Sequence, residues 1–205
     1  MARDLTPIVK RSRREGYALH PKAHKALVKR STIPGQHGRS MRRSKDSQYS
    51  LQLREKQKVK RLYGLLERQF SKLMGEASRA TGQSGVRMLE FLERRLDNVV
   101  YRAGFAVSRR AARQLVTHGH FEINGKRVDI PSLRVSVGDI IALRTRSTKN
   151  DYFNHLDDLS PAPAEIPTWI KVERKKASVS IVGNPTRENA EPDIKEQLIV
   201  EYYSR

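Results

Sequence analysis

The 205-residue sequence has no cysteine. That excludes disulfides, iron–sulfur clusters, thiolate zinc sites and any cysteine nucleophile. Aromatic residues make up only 6%, with a single Trp, and hydrophobic residues 37%, enough for one or two modest cores but not a large one. No apolar run approaches the roughly 20 residues of a membrane span, and the opening "MARDLTPIVKRSRREG" lacks the apolar stretch of a secretory signal. The expectation is a soluble intracellular chain with no membrane partner. Acidic residues are scarce as well: 22 Asp plus Glu stand against 41 Lys plus Arg, for a net charge of +19. Such an excess is larger than solubility requires and points to a polyanion. It is unevenly placed, since residues 1–61 hold 18 basic and 4 acidic side chains, residues 62–149 hold 16 and 8, and residues 150–205 hold 7 and 10. The binding surface is therefore expected in the front and middle of the chain.

Catalytic machinery is missing too. There is no GxxxxGK[ST], GxGxxG, HExxH or GxSxG pattern. His118 and His120 bracket a glycine with no Asp, Glu or Cys cluster beside them, which argues against a metal site. Asp157 and Asp158 fall in a Pro-rich segment, where paired carboxylates are usually solvated rather than an acid and a base. The sequence is that of a binding protein, not an enzyme, with no cofactor and no metal expected.

Along the chain, residues 1–46 form a basic arm poor in apolar periodicity, with Pro34, Gly35 and Gly38 among basic residues, expected to be loosely ordered on its own. Residues 47–93 turn helical. "SQYSLQLREKQKVKRLYG" and "LLERQFSKLMGEASRATG" predict two helices broken near Gly64, with Leu62, Leu66, Phe70 and Leu73 as core. "VRMLEFLERRLDNVVYRAGF" predicts one helix ending near Gly104, with Leu89, Leu92, Leu96, Val99 and Val100 as its buried stripe. After it, "SRRAARQLVTHG" reads as a short helix capped by Ser108 and ended by Gly119, and Asn124-Gly125 between "FEI" and "KRV" is a type I′ hairpin signal. A further strand runs through Ile140 to Leu143. Residues 151–164 are a Pro-rich connector, Trp169 an anchor, and "ASVSIVGNP" a short strand. The tail, with Ile194, Leu198, Ile199 and Tyr202, predicts a helix, and residues 165–205 are expected to pack back on the earlier helices. The fold class is α+β: a helical domain from the N-terminal half plus the C-terminal tail, into which a module of two helices on a short antiparallel sheet (94–150) is inserted.

The helix at 108–119 is amphipathic. Its apolar side chains, Ala111, Ala112, Leu115 and Val116, share one face, and Arg109, Arg110 and Arg113 sit on the other with no acid in the helix. Their mutual repulsion, a few tenths of a kcal/mol per pair, would be relieved by an external anion. The alternative is a solvated surface helix. A double replacement of Arg109 and Arg113 by Ala is expected to weaken binding of that anion while the fold survives.

The stretch "RLDNVVYRAGFAVSRRAARQLVTHGHFEINGKRVDIPSLRVSVGDII" resembles the RNA-binding module named for the fourth protein of the bacterial small ribosomal subunit. That module also occurs in RNA-modifying and heat-shock proteins, which is the alternative reading. "PGQHG", "LQLREKQKVKRLYGLLERQF" and "LIVEYYSR" extend the likeness to the ribosomal protein family itself, in its zinc-free form. The resemblance implies a structural constituent that binds small-subunit (16S-type) rRNA at a multi-helix junction in the five-prime domain and nucleates assembly. It also implies contact with mRNA at the entrance channel, neighbouring small-subunit proteins three and five as partners, a part in translational accuracy, and a cytoplasmic, ribosomal location. The RNA-binding candidates are Arg109, Arg110, Arg113 and His118 in the module, Arg54, Lys56, Lys58 and Arg68 before it, and Arg11, Arg13, Arg14, Gln36 and His37 in the arm. Arg39, Arg42 and Arg43 are carried over to mRNA. An enzyme that had borrowed the module would need a further catalytic domain of about 150 residues, and no such block exists here.

Overall fold

A computed structural model describes residues 4–39, 47–163 and 165–204. The chain is α+β and divides into two compact units, one formed by residues up to 88 with residues 193 onward, the other by residues 89–192.

The first unit is helical. Its elements are α1 (Ile8–Glu15), α2 (Pro21–Lys29), a 3-10 turn at Gln36–Arg39, α3 (Gln48–Leu62), α4 (Glu67–Arg79), the first half of α5 (Ser84–Glu93) and α10 (Glu196–Tyr203). The basic arm thus carries two helices where loose order was expected. Few anchors are needed: Ser12, Leu19 and Ala23 are buried, the Leu19 N–H donates to the Ser12 hydroxyl at 3.3 Å, and α1 packs on α2 and α3. Three small or isolated anchors produce no visible periodicity. The break at Gly64 is present, with φ of 68°, and Ser47 caps α3 by accepting from Ser50 N–H at 3.2 Å. Phe70, Leu73, Met74 and Ala77 of α4, with Val59 and Leu62 of α3, are buried, while Leu66 is half-buried. The tail helix α10 lies against α3, burying Ile199.

The second unit is built on one antiparallel sheet. Its strands are β1 (Phe121–Ile123), β2 (Lys126–Val128), β3 (Ile140–Leu143), β4 (Ile170–Glu173) and β5 (Ser178–Ile181), in the order β2-β1-β3-β5-β4. Helices α6 (Leu96–Arg102) and α7 (Arg109–Thr117) pack on each other, and the short α8 (Asp151–Asn154) and α9 (Leu156–Leu159) interrupt the connector. One apolar cluster holds Val99, Val100, Phe105, Ala112, Val116, Phe121 and Ile141 together with Leu156, Trp169, Ile170, Val179 and Ile181. The module is therefore larger than the span 94–150, and of residues 165–205 only those from 193 onward join the helical unit. The reason is pairing: β5 completes the open edge of β3 through Ile141↔Val179, and β4 follows through Val172↔Val179.

The sequence 86–105 forms two helices, not one. Arg95 is extended, and Leu96 and Asp97 donate their backbone N–H groups to the Leu133 and Pro131 carbonyls at 2.8 and 3.2 Å. A distant loop thus receives the N–H groups that a continuous helix would have used internally. The hairpin is as read: Asn124 and Gly125 have φ of 50° and 77°, and Ile123 faces Lys126.

Candidate nucleic-acid interface

Helix α7 begins where Ser108 accepts a hydrogen bond from Ala111 N–H at 3.3 Å, and it stops at Gly119, whose φ is 71° and whose N–H donates to the Val116 carbonyl at 2.8 Å. Ala112 and Val116 are buried in the core, which fixes the rotation of the helix and so the direction of each arginine. The three arginines part company there. Arg109 donates through Nε to Asn98 Oδ1 and through Nη2 to Glu191 Oε1, both at 2.9 Å, and lies 4.6 Å from the centre of the Tyr101 ring. Arg113 donates through Nη1 to Asp97 Oδ2 at 3.1 Å. Arg110 is exposed and forms no ion pair among the described residues. With Gln114, Thr117 and His118, all exposed, it makes a stripe at positions i, i+4, i+7 and i+8.

The acids that hold Arg109 and Arg113 belong to a buried network. Glu93, fully buried, accepts from Arg102 Nε and Nη2 at 3.1 and 3.0 Å and from Asn98 Nδ2 at 2.8 Å. Asp97, 5% exposed, also accepts from Arg95 Nε and Nη2 at 3.1 and 2.8 Å. A desolvated carboxylate is tolerated only when its lone pairs are filled, and these arginines fill them. The expectation that an external anion relieves Arg109 and Arg113 is therefore corrected: their partners come from the protein itself, from α6 and the segment before α10.

In the helical unit the candidates divide in the same way. Lys56 is withdrawn from the surface: its side chain is 5% exposed, with Nζ 2.8 Å from Glu67 Oε1 and 4.3 Å from the centre of the Tyr202 ring. Lys58 pairs with Glu55 at 2.8 Å and donates to the Asp193 carbonyl at 2.7 Å. Arg54 and Arg61 both reach Glu15 Oε1, Arg54 at 3.3 Å. Burial pushes the Glu15 carboxyl up despite these cations. Glu67 behaves oppositely: burial would raise it, but hydrogen bonds from Lys56, Lys60 and Tyr203 hold it at about 2. Arg11 pairs with Asp4 and donates to Thr6 Oγ1 at 2.8 Å, and Arg13 donates through Nε to the Thr32 carbonyl at 3.0 Å. Arg14, Gln36 and Arg68 are exposed. Sequence reasoning passed over Lys72 and Arg79, which share an exposed face of α4 with Arg68 at i+4 and i+11. That spacing was the available signal. Arg42 and Arg43 lie outside the described residues, as do the side chains of His37 and Arg39.

Among the described residues no group of three or more His, Asp or Glu side chains is placed to hold a metal ion, and no helix is long and apolar enough to cross a membrane. The second unit is a small α+β module whose helix α7 is anchored by its buried Ala112 and Val116, with two of its arginines held by internal acids. Two family profiles cover most of the chain: the S4 domain over residues 94–141 and the ribosomal protein S4/S9 N-terminal domain over residues 3–93. The chain is 50% identical over 211 residues to the small ribosomal subunit protein uS4 of Herpetosiphon aurantiacus, and 50% identical over 206 residues to that of Chloroflexus aurantiacus. It is 48% identical over 211 residues to that of Clostridioides difficile, and all three alignments cover 100% of both chains. The chain belongs to the uS4 family of small ribosomal subunit proteins.

Proposed function

We propose that this protein is a structural, non-enzymatic constituent of the small ribosomal subunit in the cytoplasm. It binds small-subunit rRNA at a junction of several helices in the five-prime domain and orients them early in assembly. The observation that carries the reading is full-length identity of about one half to small-subunit uS4 proteins, joined to a helix whose exposed polar stripe, with Arg110 in it, is aimed by a buried core. Lys and Arg that meet phosphates release condensed counterions, so affinity falls steeply with salt. A-form major grooves exclude side chains, so cations at fixed spacing select the convergence of backbones and not a base sequence.

Arg110 and His118 on α7, Arg68 with Lys72 and Arg79 on α4, and Arg14 with Gln36 in the arm are the contacts proposed from exposure. Arg109 and Arg113 act as positioning residues that also present a partly open guanidinium edge, with 14% and 16% of their side chains exposed. Arg39, Arg42 and Arg43 are assigned to mRNA at the entrance channel. Small-subunit proteins three and five are the neighbours, with the C-terminal tail meeting the fifth, where decoding accuracy is tuned.

Binding of the full chain to small-subunit rRNA and to a random duplex at one salt concentration tests the reading. Preference for rRNA of at least about a thousandfold is expected of a specific site. Equal affinity for the two would reject it in favour of a nonspecific basic chaperone.

A further inference from the structure

A basin of about 270 Å³ lies at the C-terminal end of α7, lined chiefly by His118, His120, Arg127, Arg144, Arg146 and Ser147. We propose that it is a binding site for one phosphate group of the RNA backbone, a role that rests on the RNA-binding reading above and extends it to four residues outside α7. Three arginines and two histidines converge there, and the lining holds no carboxylate.

The basin is held in place from several directions. Gly119 turns the chain so that His118 and His120 flank it with ring centres 6.0 Å apart. Gly119, with φ of 71°, takes a turn that favours glycine, and the Arg127 guanidinium lies over it, its Nε 2.8 Å from where a Cβ would stand. Arg144 donates through Nη1 to the Gly119 carbonyl at 3.2 Å and through its backbone N–H to the His120 carbonyl at 3.0 Å. The His120 ring places Nδ1 3.1 Å from Ser147 Oγ and meets the Phe153 ring of α8 edge-on at 5.5 Å, which leaves Nε2 for a ligand. Arg146 is exposed and forms no ion pair among the described residues.

Acids adjoin the lining residues at Glu122, in register with Arg127 across the hairpin, at Asp129, 3.8 Å from Arg127, and at Asp151, which follows Asn150 at the start of α8. Both Asp129 and its partner are more than half exposed, so that pair is screened and worth little. Apart from that screened pair, the arginines of the basin form no ion pair among the described residues. Burial, His118 and Arg144 hold the His120 imidazole below its ordinary range. An anionic phosphate reverses the balance and favours the His120 imidazolium. Binding then takes up protons, and affinity rises as pH falls through the histidine range.

The test uses the full chain with small-subunit rRNA at fixed ionic strength. Wild-type affinity is expected to be about five- to tenfold tighter at pH 5.5 than at pH 7.5, the effect of a one-unit rise in a histidine midpoint. H118Q/H120Q should lose the pH effect, falling further below wild type at pH 5.5 than at pH 7.5. R127A/R146A should lower the slope of log affinity against log salt by about one to two. Histidine proton resonances of the wild-type chain should move to higher midpoints on adding the rRNA fragment. An unchanged pH effect in the histidine variant, or an unchanged salt slope in the arginine variant, overturns the proposal while leaving the rRNA preference standing. If the variants fail to fold, the resonances decide: midpoints raised by inorganic phosphate but not by RNA identify a free-anion site and overturn it, as do midpoints that neither ligand moves. Loss of rRNA preference in the wild type is the separate failure of the functional reading.

Discussion

Arg110 and Arg113 stand three positions apart on one helix and have different work. Arg110 forms no ion pair among the described residues, so Arg110→Ala should change stability by no more than about 0.5 kcal/mol in urea unfolding while weakening rRNA binding and its salt slope. Arg113 fills a lone pair of Asp97, 3.1 Å away. Its removal leaves Asp97 to Arg95 alone, and Arg113→Ala should cost about 1.5–3 kcal/mol. The same reasoning revises the expectation for the Arg109 and Arg113 double variant, which loses stability along with affinity and so separates the two poorly. The guanidiniums were legible in the sequence and their partners were not, because Arg109 reaches Glu191 across 82 positions and Arg113 reaches Asp97 across 16. Only packing brings those acids to the helix. Lys56 teaches the same lesson: a lysine among basic neighbours reads as surface, yet its stem and charge are enclosed by Glu67 and the two tyrosines of α10.

At the scale of elements, local chemistry was read well. Ser108, Gly64 and Asn124-Gly125 act within a few residues of themselves, and each stands where expected. Ser108→Ala should destabilise by about 1 kcal/mol through the lost cap, measurable by thermal unfolding. What could not be read was the break at Arg95, since the groups that accept the Leu96 and Asp97 N–H lie in the loop at 131–133. The contact of α10 with α3 and α4 predicts an acid response. Glu67 titrates at about 2 in the folded state against 4.5 for a free side chain. A depressed carboxylate contributes stability that is full above the unfolded value and lost as pH falls through the folded one. The melting temperature should therefore fall between about pH 5 and pH 2, and Glu67→Gln should lower it near neutrality while flattening that acid slope. An equal acid slope in the variant would place the sensitivity elsewhere.

For the whole molecule, the proposed function rests on cationic groups distributed over much of the chain. Log affinity for rRNA should fall linearly with log salt, with a slope of about 0.7–0.9 per phosphate contact. Arg68→Ala and Arg110→Ala together should reduce that slope by about two units, as read in a salt series of filter-binding isotherms. The sequence alone determined the polyanionic partner, the absence of thiol chemistry, the helix caps, the hairpin and the family, because charge, capping and turn geometry are properties of residues and their immediate neighbours. Tertiary structure decided that β4 and β5 complete the module's sheet, that several arginines are internal counter-ions, and that histidines and arginines from separate elements share one basin. Burial and long-range hydrogen bonding set those outcomes, and neither leaves a period or a motif in the chain.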